Sequence, residues 1–217
     1  MNEMSLKDMS KLTELHQALE QHQIKGFLAQ DEAEALYQYA LHSSSLGPCL
    51  EIGSYCGKSS VYLGSACRAQ DSILFTIDHH RGSEEHQAGE EYHDPDLFDR
   101  NAGRVDTFPA LRKTLDLFSL QQTVVPIVAP SQVVAKKWAM PLGLVFVDGG
   151  HSLEQALFDC LTWSEFVVPG GYLLIHDIFP NPADGGQAPY LALQETLKKQ
   201  TFSWVGTVRS LAILQRR

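Results

Sequence analysis

The chain has 217 residues, of which 44% are hydrophobic and 20% are charged, so it is large enough for one globular domain with a substantial core. Its formal net charge is −9, and because an acidic surface repels phosphate we do not expect a nucleic-acid substrate. The four cysteines form no C-x-x-C pair, which argues against a thiolate zinc site. No run of about 18 apolar residues occurs, and the polar first residues lack the apolar stretch of a signal peptide. We therefore expect a cytoplasmic protein without a membrane span.

Two amphipathic helices are predicted before the first strand. One spans about residues 6–19, and the second places the apolar residues of 33–41 on a single helical stripe. We assign residues 1–46 to a helical N-terminal extension and residues 47–217 to the main domain. Their apolar stripes should pack either on the main domain or on a partner subunit. Since the main domain has a complete pattern of strands and helices without them, we expect a homodimer in which they help cover the neighbour's active site, and the alternative is a lid within one chain.

From Pro48 onward, short apolar runs alternate with helical patterns. The predicted strands are 49–52, 73–77, 124–128, 144–147, 172–175, 202–208 and 211–214, and the predicted helices are 58–69, 104–118, 131–138, 152–166 and one after Pro189. Nearly continuous apolar strands are typical of a parallel sheet that is buried on both faces, although Pro126 indicates a short or irregular third strand. The alternation predicts an α/β fold with one doubly wound, mostly parallel sheet.

A glycine-containing loop follows the first predicted strand and opens the next helix. It reads Glu51-Ile-Gly53-Ser-Tyr-Cys-Gly57-Lys-Ser59. In doubly wound sheets ligands bind beyond the carboxyl ends of the strands, where glycines let the backbone approach them closely. The G-x-x-x-G spacing differs from the G-x-G-x-x-G that holds a pyrophosphate, and Glu51 would repel a phosphate and favour a cation. The loop therefore indicates a positively charged ligand, such as a sulfonium, rather than a dinucleotide.

Asp78 ends the second predicted strand, where a carboxylate can accept hydrogen bonds from both hydroxyls of a ribose. Taken separately, Gly53 and Gly57 could simply permit a tight turn, and Asp78 could cap the segment that follows. Together and in this order, the loop and Asp78 predict an adenosyl-binding site.

This pattern resembles the first two motifs of the class I S-adenosylmethionine-dependent methyltransferases. The resemblance runs from about residue 48 to the end of the chain, and it implies a Rossmann-like, seven-stranded sheet whose last strand is antiparallel. It also implies that the glycine loop wraps the methionine part of the cofactor and that the second-strand acid holds the ribose. The expected cofactor contacts are Glu51, Gly53, Ser54, Tyr55, Gly57, Ser59, Asp78, His79 and Asp148.

A second group of polar residues follows the fourth and fifth strands. Asp148-Gly-Gly-His151 ends the fourth strand, and His176-Asp177 ends the fifth. Neighbouring strands would bring these side chains together, and two carboxylates at such an edge suit a divalent cation that lowers the pKa of a substrate hydroxyl. Alternatively, a histidine could act directly as a general base. A purely structural role, in which the aspartates cap the next segments and the histidines bond nearby backbone, is the third reading.

The second group sharpens the resemblance. Asp148-Gly-Gly-His151 with the later His176-Asp177 looks like the branch of small-molecule O-methyltransferases that includes sugar, rhamnosyl and cephalosporin-tailoring enzymes. Many members hold magnesium with the fourth-strand aspartate and an acidic pair after the fifth strand. Here an imidazole replaces one expected oxygen ligand, which favours manganese or zinc as much as magnesium. The expected metal ligands are therefore Asp148, His176 and Asp177, and the expected catalytic residues are His151, Asp148 and His176.

Four of the nine histidines fall between His79 and His93, in a segment that should overhang the cofactor crevice. This segment is read either as part of a metal or substrate site, through His79, His80, Glu84 or His86, or as a solvated loop. The leading function is methyl transfer from S-adenosylmethionine to a hydroxyl of a small-molecule acceptor. The alternatives are a metal-dependent hydrolase that uses Asp148 and Asp177, and a non-catalytic adenosyl-binding subunit.

Overall fold

A computed structural model of the chain describes residues 6–82, 94–150 and 152–217. The helices are α1 (Leu6–Gln21), α2 (Gln30–Ser43), α3 (Lys58–Ala69), α4 (Phe108–Leu117), α5 (Ser131–Ala135), α6 (Leu153–Trp163) and α7 (Ala188–Lys198). The strands are β1 (Cys49–Ile52), β2 (Leu74–Asp78), β3 (Phe98–Asp99), β4 (Arg104–Val105), β5 (Val124–Val128), β6 (Leu142–Val147), β7 (Val167–Ile175), β8 (Phe202–Val208) and β9 (Leu211–Arg216). In these segments no helix is long and apolar enough to cross a membrane.

Seven of these strands form one sheet in the order β5-β2-β1-β6-β7-β9-β8. The strands β5, β2, β1, β6 and β7 are parallel, and the last strand of the chain, β9, pairs antiparallel with both β7 and β8. The predicted doubly wound, mostly parallel, seven-stranded fold is therefore confirmed. Pro126 lies in a regular strand, contrary to the prediction, because β5 is at the edge of the sheet, where a missing N–H is tolerated.

Side chains alternate across the central strands, so each face of the sheet has its own hydrophobic cluster. Phe146 and Leu174 point to the face that α1–α4 cover, while Val145 and Leu173 point to the face that α5–α7 cover. Both faces of β6 and β7 are thus buried, as their continuous apolar sequences indicated.

The N-terminal helices bury their apolar stripes inside their own chain. Leu12 on α1 and Leu36 on α2 belong to the same cluster as Phe146 and the other residues of that face. The ring of Tyr39 lies 4.8 Å from the ring of Tyr172 on β7. Of the two burial places that the sequence left open, the stripes therefore use the main domain of their own chain, where α2 packs against β6 and β7. Because the stripes are already buried, they give no reason to expect a homodimer.

The helix predicted over 104–118 begins later, at Phe108. Its first residues, Arg104–Val105, pair instead with Phe98–Asp99 in a two-stranded ribbon. Pro109 lies in the first turn of α4, where its missing N–H costs no helical hydrogen bond, and this position sets the start of the helix.

Candidate active site

The glycine loop passes close to the end of β6. Gly53 has φ +87°, and a Cβ atom on it would lie 2.0 Å from the carbonyl oxygen of Asp148. Gly57 has φ +93° and stands directly before α3, where a Cβ would lie 2.8 Å from Leu111 Cδ1. Both positions combine a left-handed backbone with a close contact, so a side chain is excluded on two grounds. The loop can therefore approach the crevice beside Asp148 only because these residues are glycines.

Asp78 lies beside the glycine loop, as the sequence predicted, but its carboxylate already has partners. Its Oδ2 accepts hydrogen bonds from the backbone N–H groups of Ser54 (3.1 Å) and Tyr55 (2.9 Å), and its Oδ1 accepts one from the N–H of His80 (2.7 Å). A carboxylate has about four lone-pair sites, so acceptor capacity for a ribose is left. Asp78 therefore also holds the backbone of the glycine loop in place, a role that the sequence did not indicate.

Glu51 does not reach the crevice. It is fully buried beneath α3, where it accepts a hydrogen bond from the hydroxyl of Ser60. Burial raises the pKa of Glu51 to about 7. Hydrogen bonds from Ser59 and Ser60 favour the charged form and lower the pKa, but their effect is smaller than that of burial. A contact of Glu51 with the cofactor stays a prediction, and in this structure the carboxyl is closed off from the crevice. A strand-end acid can point under the following helix as readily as into the cleft.

The other expected cofactor residues differ in exposure. Ser54 and Ser59 are buried, whereas Tyr55 is half-buried, with its ring 5.8 Å from that of Phe27. His79 is exposed, and its Nδ1 accepts a hydrogen bond from the N–H of Arg81. Of these four, Tyr55 and His79 present side-chain surface near the crevice.

The ends of β6 and β7 bring Asp148, His176 and Asp177 together. In the register of these two strands Val147 pairs with Ile175, so the residues that follow stand side by side. The Nδ1 of His176 lies 3.0 Å from Asp148 Oδ1 and 3.4 Å from Asp177 Oδ1. One candidate ligand atom from each residue lies within 4.8 Å of the other two.

A residue that the sequence analysis missed completes this group. Glu32 on α2 is buried, and its Oε2 lies 3.1 Å from His176 Nε2. Its Oε1 accepts hydrogen bonds from the backbone N–H and the hydroxyl of Ser210, in the turn between β8 and β9. Glu32 is the third residue of α2, a position where glutamate is common as part of a capping box, so its place in the sequence does not indicate a contact with His176.

The charges of this group depend strongly on one another. Burial acts against a charged His176, but the carboxylates of Asp148, Asp177 and Glu32 outweigh it and raise the pKa of His176 to about 12. Burial likewise acts against a charged Glu32, but the hydrogen bonds from His176 and Ser210 lower its pKa to about 2. With both ring nitrogens facing carboxylates, His176 has no free nitrogen to accept a substrate proton.

The donor set of this cluster fits a divalent metal. Two carboxylate oxygens and one imidazole nitrogen converge from Asp148, Asp177 and His176, and the second ring nitrogen of His176 is bound to a carboxylate, as in many metal sites. Asp177 has φ +57°, a left-handed conformation that is uncommon for residues other than glycine and is found preferentially at functional sites.

The histidine-rich segment begins with His79 and His80, which follow β2. His80 is buried, with its Nδ1 2.7 Å from the hydroxyl of Thr107, and burial lowers its pKa, so it serves the core rather than a ligand. The candidates Glu84 and His86 lie outside the described residues, as does the catalytic candidate His151.

A further polar group, also missed from the sequence, lies under the crevice. Asp159 on α6 is buried and accepts hydrogen bonds from the hydroxyl of Ser131 and from Gln155 Nε2. Its Oδ2 lies 3.2 Å from the position of a Cβ on Gly149. The group joins the start of α5 to α6 and lies directly against Gly149, one residue after Asp148.

A mostly parallel sheet of this order, with a glycine loop after β1 and acids after β2 and β6, defines a Rossmann-like methyltransferase fold. Residues 50–178 match the family of methyltransferase domains, which is more than half of the chain, so the protein belongs to that family. The resemblance to methyltransferases stated from the sequence is thereby confirmed. Membership also decides against the alternative of a metal-dependent hydrolase.

Solved structures with the same fold agree. The methyltransferase PaMTH1 from Podospora anserina, solved with S-adenosylhomocysteine, has a TM-score of 0.66 at 12% identity, with 100% of this chain and 98% of that chain covered. The O-methyltransferase TomG from Streptomyces achromogenes, involved in tomaymycin synthesis and solved with S-adenosylmethionine, has a TM-score of 0.61 at 16% identity, with 94% and 88% covered. An O-methyltransferase from Bacillus cereus, in complex with S-adenosylhomocysteine, has a TM-score of 0.62 at 12% identity, with 95% and 91% covered.

Proposed function

We propose that this methyltransferase moves a methyl group from S-adenosylmethionine to a hydroxyl of a small molecule, at a site that also holds a divalent metal. The observation that carries the proposal is the contact between Gly53 and the carbonyl of Asp148. Through this contact the loop that would bind the donor and the cluster that would bind the acceptor share one edge of the sheet. The structural neighbours that hold the cofactor or its demethylated product support the choice of donor.

On the donor side, the chain offers backbone groups and one carboxylate. The loop from Gly53 to Gly57 leads into α3, and the free N–H groups at the start of this helix suit the carboxylate of a methionine moiety. Asp78 holds the loop and keeps acceptor capacity for the ribose hydroxyls. When bound, S-adenosylmethionine supplies a methyl group on a positively charged sulfur, so the protein must mainly align the donor with the acceptor.

On the acceptor side, Asp148, His176 and Asp177 would hold the metal. When bound, such an ion supplies a positive charge that lowers the pKa of an acceptor hydroxyl. His176 contributes a ligand atom and does not act as the base, because its Nε2 is bound to Glu32 and its Nδ1 faces two carboxylates. His151 remains the histidine that we propose as a base, since it follows the same strand end as Asp148.

Two measurements test this function. Calorimetric titration should show binding of S-adenosylhomocysteine but not of NAD, and no binding at millimolar cofactor would contradict the donor assignment. Transfer of a labelled methyl group from S-adenosylmethionine to a panel of catechols, sugars and other hydroxyl compounds should then identify the acceptor class. Cofactor binding without turnover across the panel would favour the non-catalytic alternative.

Exhaustive chelation tests the metal. Activity should be lost and should return with one of magnesium, manganese or zinc, and Asp148→Asn should prevent the recovery. Full activity in protein that elemental analysis shows to be free of metal would contradict the metal site and leave a metal-independent methyltransferase.

A further inference from the structure

Glu32 is a buried carboxylate that accepts three hydrogen bonds from two separate segments. Its side chain is 4% exposed. Ala29 N–H donates to Oε2 (3.1 Å) at the start of α2, while the N–H (2.9 Å) and hydroxyl (2.8 Å) of Ser210 donate to Oε1. A carboxylate with three donors of this kind stays ionised, and an ionised carboxylate can only accept.

The fourth contact of this carboxylate is His176 Nε2, at 3.1 Å. Because Glu32 only accepts, Nε2 must carry the hydrogen. The hydrogen bond that one ring nitrogen makes decides the state of the other nitrogen. Nδ1 is therefore the atom that His176 turns toward Asp148 and Asp177.

At Nδ1 the ring meets two negative oxygens, from Asp148 at 3.0 Å and from Asp177 at 3.4 Å. A bare lone pair in that place would be repelled by both carboxylates, so the position demands a positive charge: a proton on Nδ1 or a metal among the three groups. Glu32 thus determines which side of the ring takes part in the cluster.

We infer that Glu32 is a positioning residue that fixes the tautomer and orientation of His176, so that the N-terminal helix α2 is part of the active site. This inference rests on the proposed role of the Asp148, His176 and Asp177 cluster. It goes beyond that role because residues 50–178, which match the family, do not include Glu32. Glu32 does not touch the acceptor itself and acts only through His176.

The chain offers a matched control on the same helical turn. Asp31, next to Glu32, also links α2 to the turn between β8 and β9, because its carboxylate pairs with Arg209. It is half exposed, and the ion pairs of His176 are with Glu32, Asp148 and Asp177 instead. Asp31→Asn therefore removes the same charge and a link between the same elements, while Glu32→Gln also disturbs the imidazole.

The test is nitrogen NMR of the His176 ring in full-length wild-type, Glu32→Gln and Asp31→Asn protein, assigned with His176→Asn. In the wild type Nε2 should be protonated both without metal and with zinc, and with zinc Nδ1 should be the coordinated nitrogen. Glu32→Gln should shift the Nε2 resonance and lower the zinc or manganese affinity roughly 10- to 100-fold, while Asp31→Asn should leave both unchanged. Binding of S-adenosylhomocysteine and the circular dichroism spectrum should stay the same in all three proteins.

A wild-type ring with an unprotonated Nε2 would overturn the inference without any variant, so it stays testable even if Glu32→Gln fails to fold. An equal loss of metal affinity in Asp31→Asn would also overturn it, because docking of α2 would then suffice as the cause. If the wild type binds no metal, the metal part of the proposed function fails, and the ring spectra alone decide the role of Glu32.

Discussion

The donor side and the acceptor side of the candidate site are built in different ways. The donor side consists mainly of one short stretch, from β1 through the glycine loop into α3, which depends on the backbone geometry of Gly53 and Gly57. Asp78, at the end of β2, holds this loop in place. The acceptor side collects side chains from α2, the ends of β6 and β7, and the turn before β9. The glycine spacing and the polar ends of β6 and β7 can be recognised in the sequence, whereas the contacts of Glu32 with His176 and Ser210 cannot. This difference determines how each side should respond to substitution.

Breaking the donor side at its closest contact should have the largest effect. Gly53→Val would place a branched side chain where even a Cβ lies 2.0 Å from the carbonyl of Asp148, in a left-handed backbone conformation. Binding of S-adenosylhomocysteine should be abolished, together with the stabilisation of about 2.7 kcal/mol expected at a hundredfold excess over Kd.

Thermal unfolding with and without ligand measures this loss. Gly186→Ala is the control, since a Cβ there meets nothing within 4 Å, and it should bind normally. Unchanged affinity in Gly53→Val would mean that the cofactor binds elsewhere.

The acceptor side depends on α2, which can be weakened from its buried face. Leu36 on α2 is fully buried in the hydrophobic cluster on the α1–α4 face of the sheet, so Leu36→Ala should lower the free energy of unfolding by about 2–5 kcal/mol. Denaturant unfolding gives this value directly. Met9→Ala on α1, where the side chain is 51% exposed, should cost less than about 0.5 kcal/mol. Equal small effects would indicate that the N-terminal helices are not part of the core.

Glu51 provides a pH-dependent test of the buried acid beneath the donor loop. Its pKa of about 7 in the folded protein lies above its ordinary value of 4.5, so the native state binds more protons than the unfolded state between these values. The stability contributed by the protonated form is complete below pH 4.5 and is lost as the pH rises to about 7. At about 1.4 kcal/mol per pKa unit, the loss is on the order of 3 kcal/mol.

Glu51→Gln cannot ionise, so its stability advantage over the wild type should grow between pH 4.5 and 8 in denaturant titrations. Glu14→Gln, on the exposed side of α1, should show no such trend. A constant difference between Glu51→Gln and the wild type across this range would show that the carboxyl is not held in its neutral form.

The smallest effect on cofactor binding is expected at Asp78, because its carboxylate is only one of several groups that hold the loop and the cofactor. Asp78→Ala removes the acceptor for the N–H groups of Ser54, Tyr55 and His80 and for the cofactor ribose. Hydrogen bonds to a charged group contribute about 1.5–3 kcal/mol, so affinity for S-adenosylhomocysteine should fall roughly 10- to 100-fold. Asp78→Asn keeps one acceptor oxygen and should lose less. Calorimetry that finds equal affinity in the wild type and both variants would remove Asp78 from the donor site.

Periodicity and spacing in the sequence determined the parallel sheet, the glycine loop, the place of Asp78 and the meeting of Asp148 with His176 and Asp177. These features follow from short-range rules, since buried parallel strands are continuously apolar and their carboxyl ends share one edge. These rules place a residue at the end of a strand, but they do not determine whether its side chain points into the crevice or under the following helix. Glu51 was therefore expected in the crevice, although it lies under α3.

Only the tertiary structure decided the role of the N-terminal helices and of Glu32. Whether an amphipathic stripe meets a partner or its own sheet depends on which sheet face lacks a helix, and this is known only once β6 and β7 are placed. The contact between Glu32 and His176 joins residues that are 144 positions apart and otherwise unrelated in pattern. The packing of α2 on the sheet brings these two residues together, so the sequence around either residue does not predict the contact.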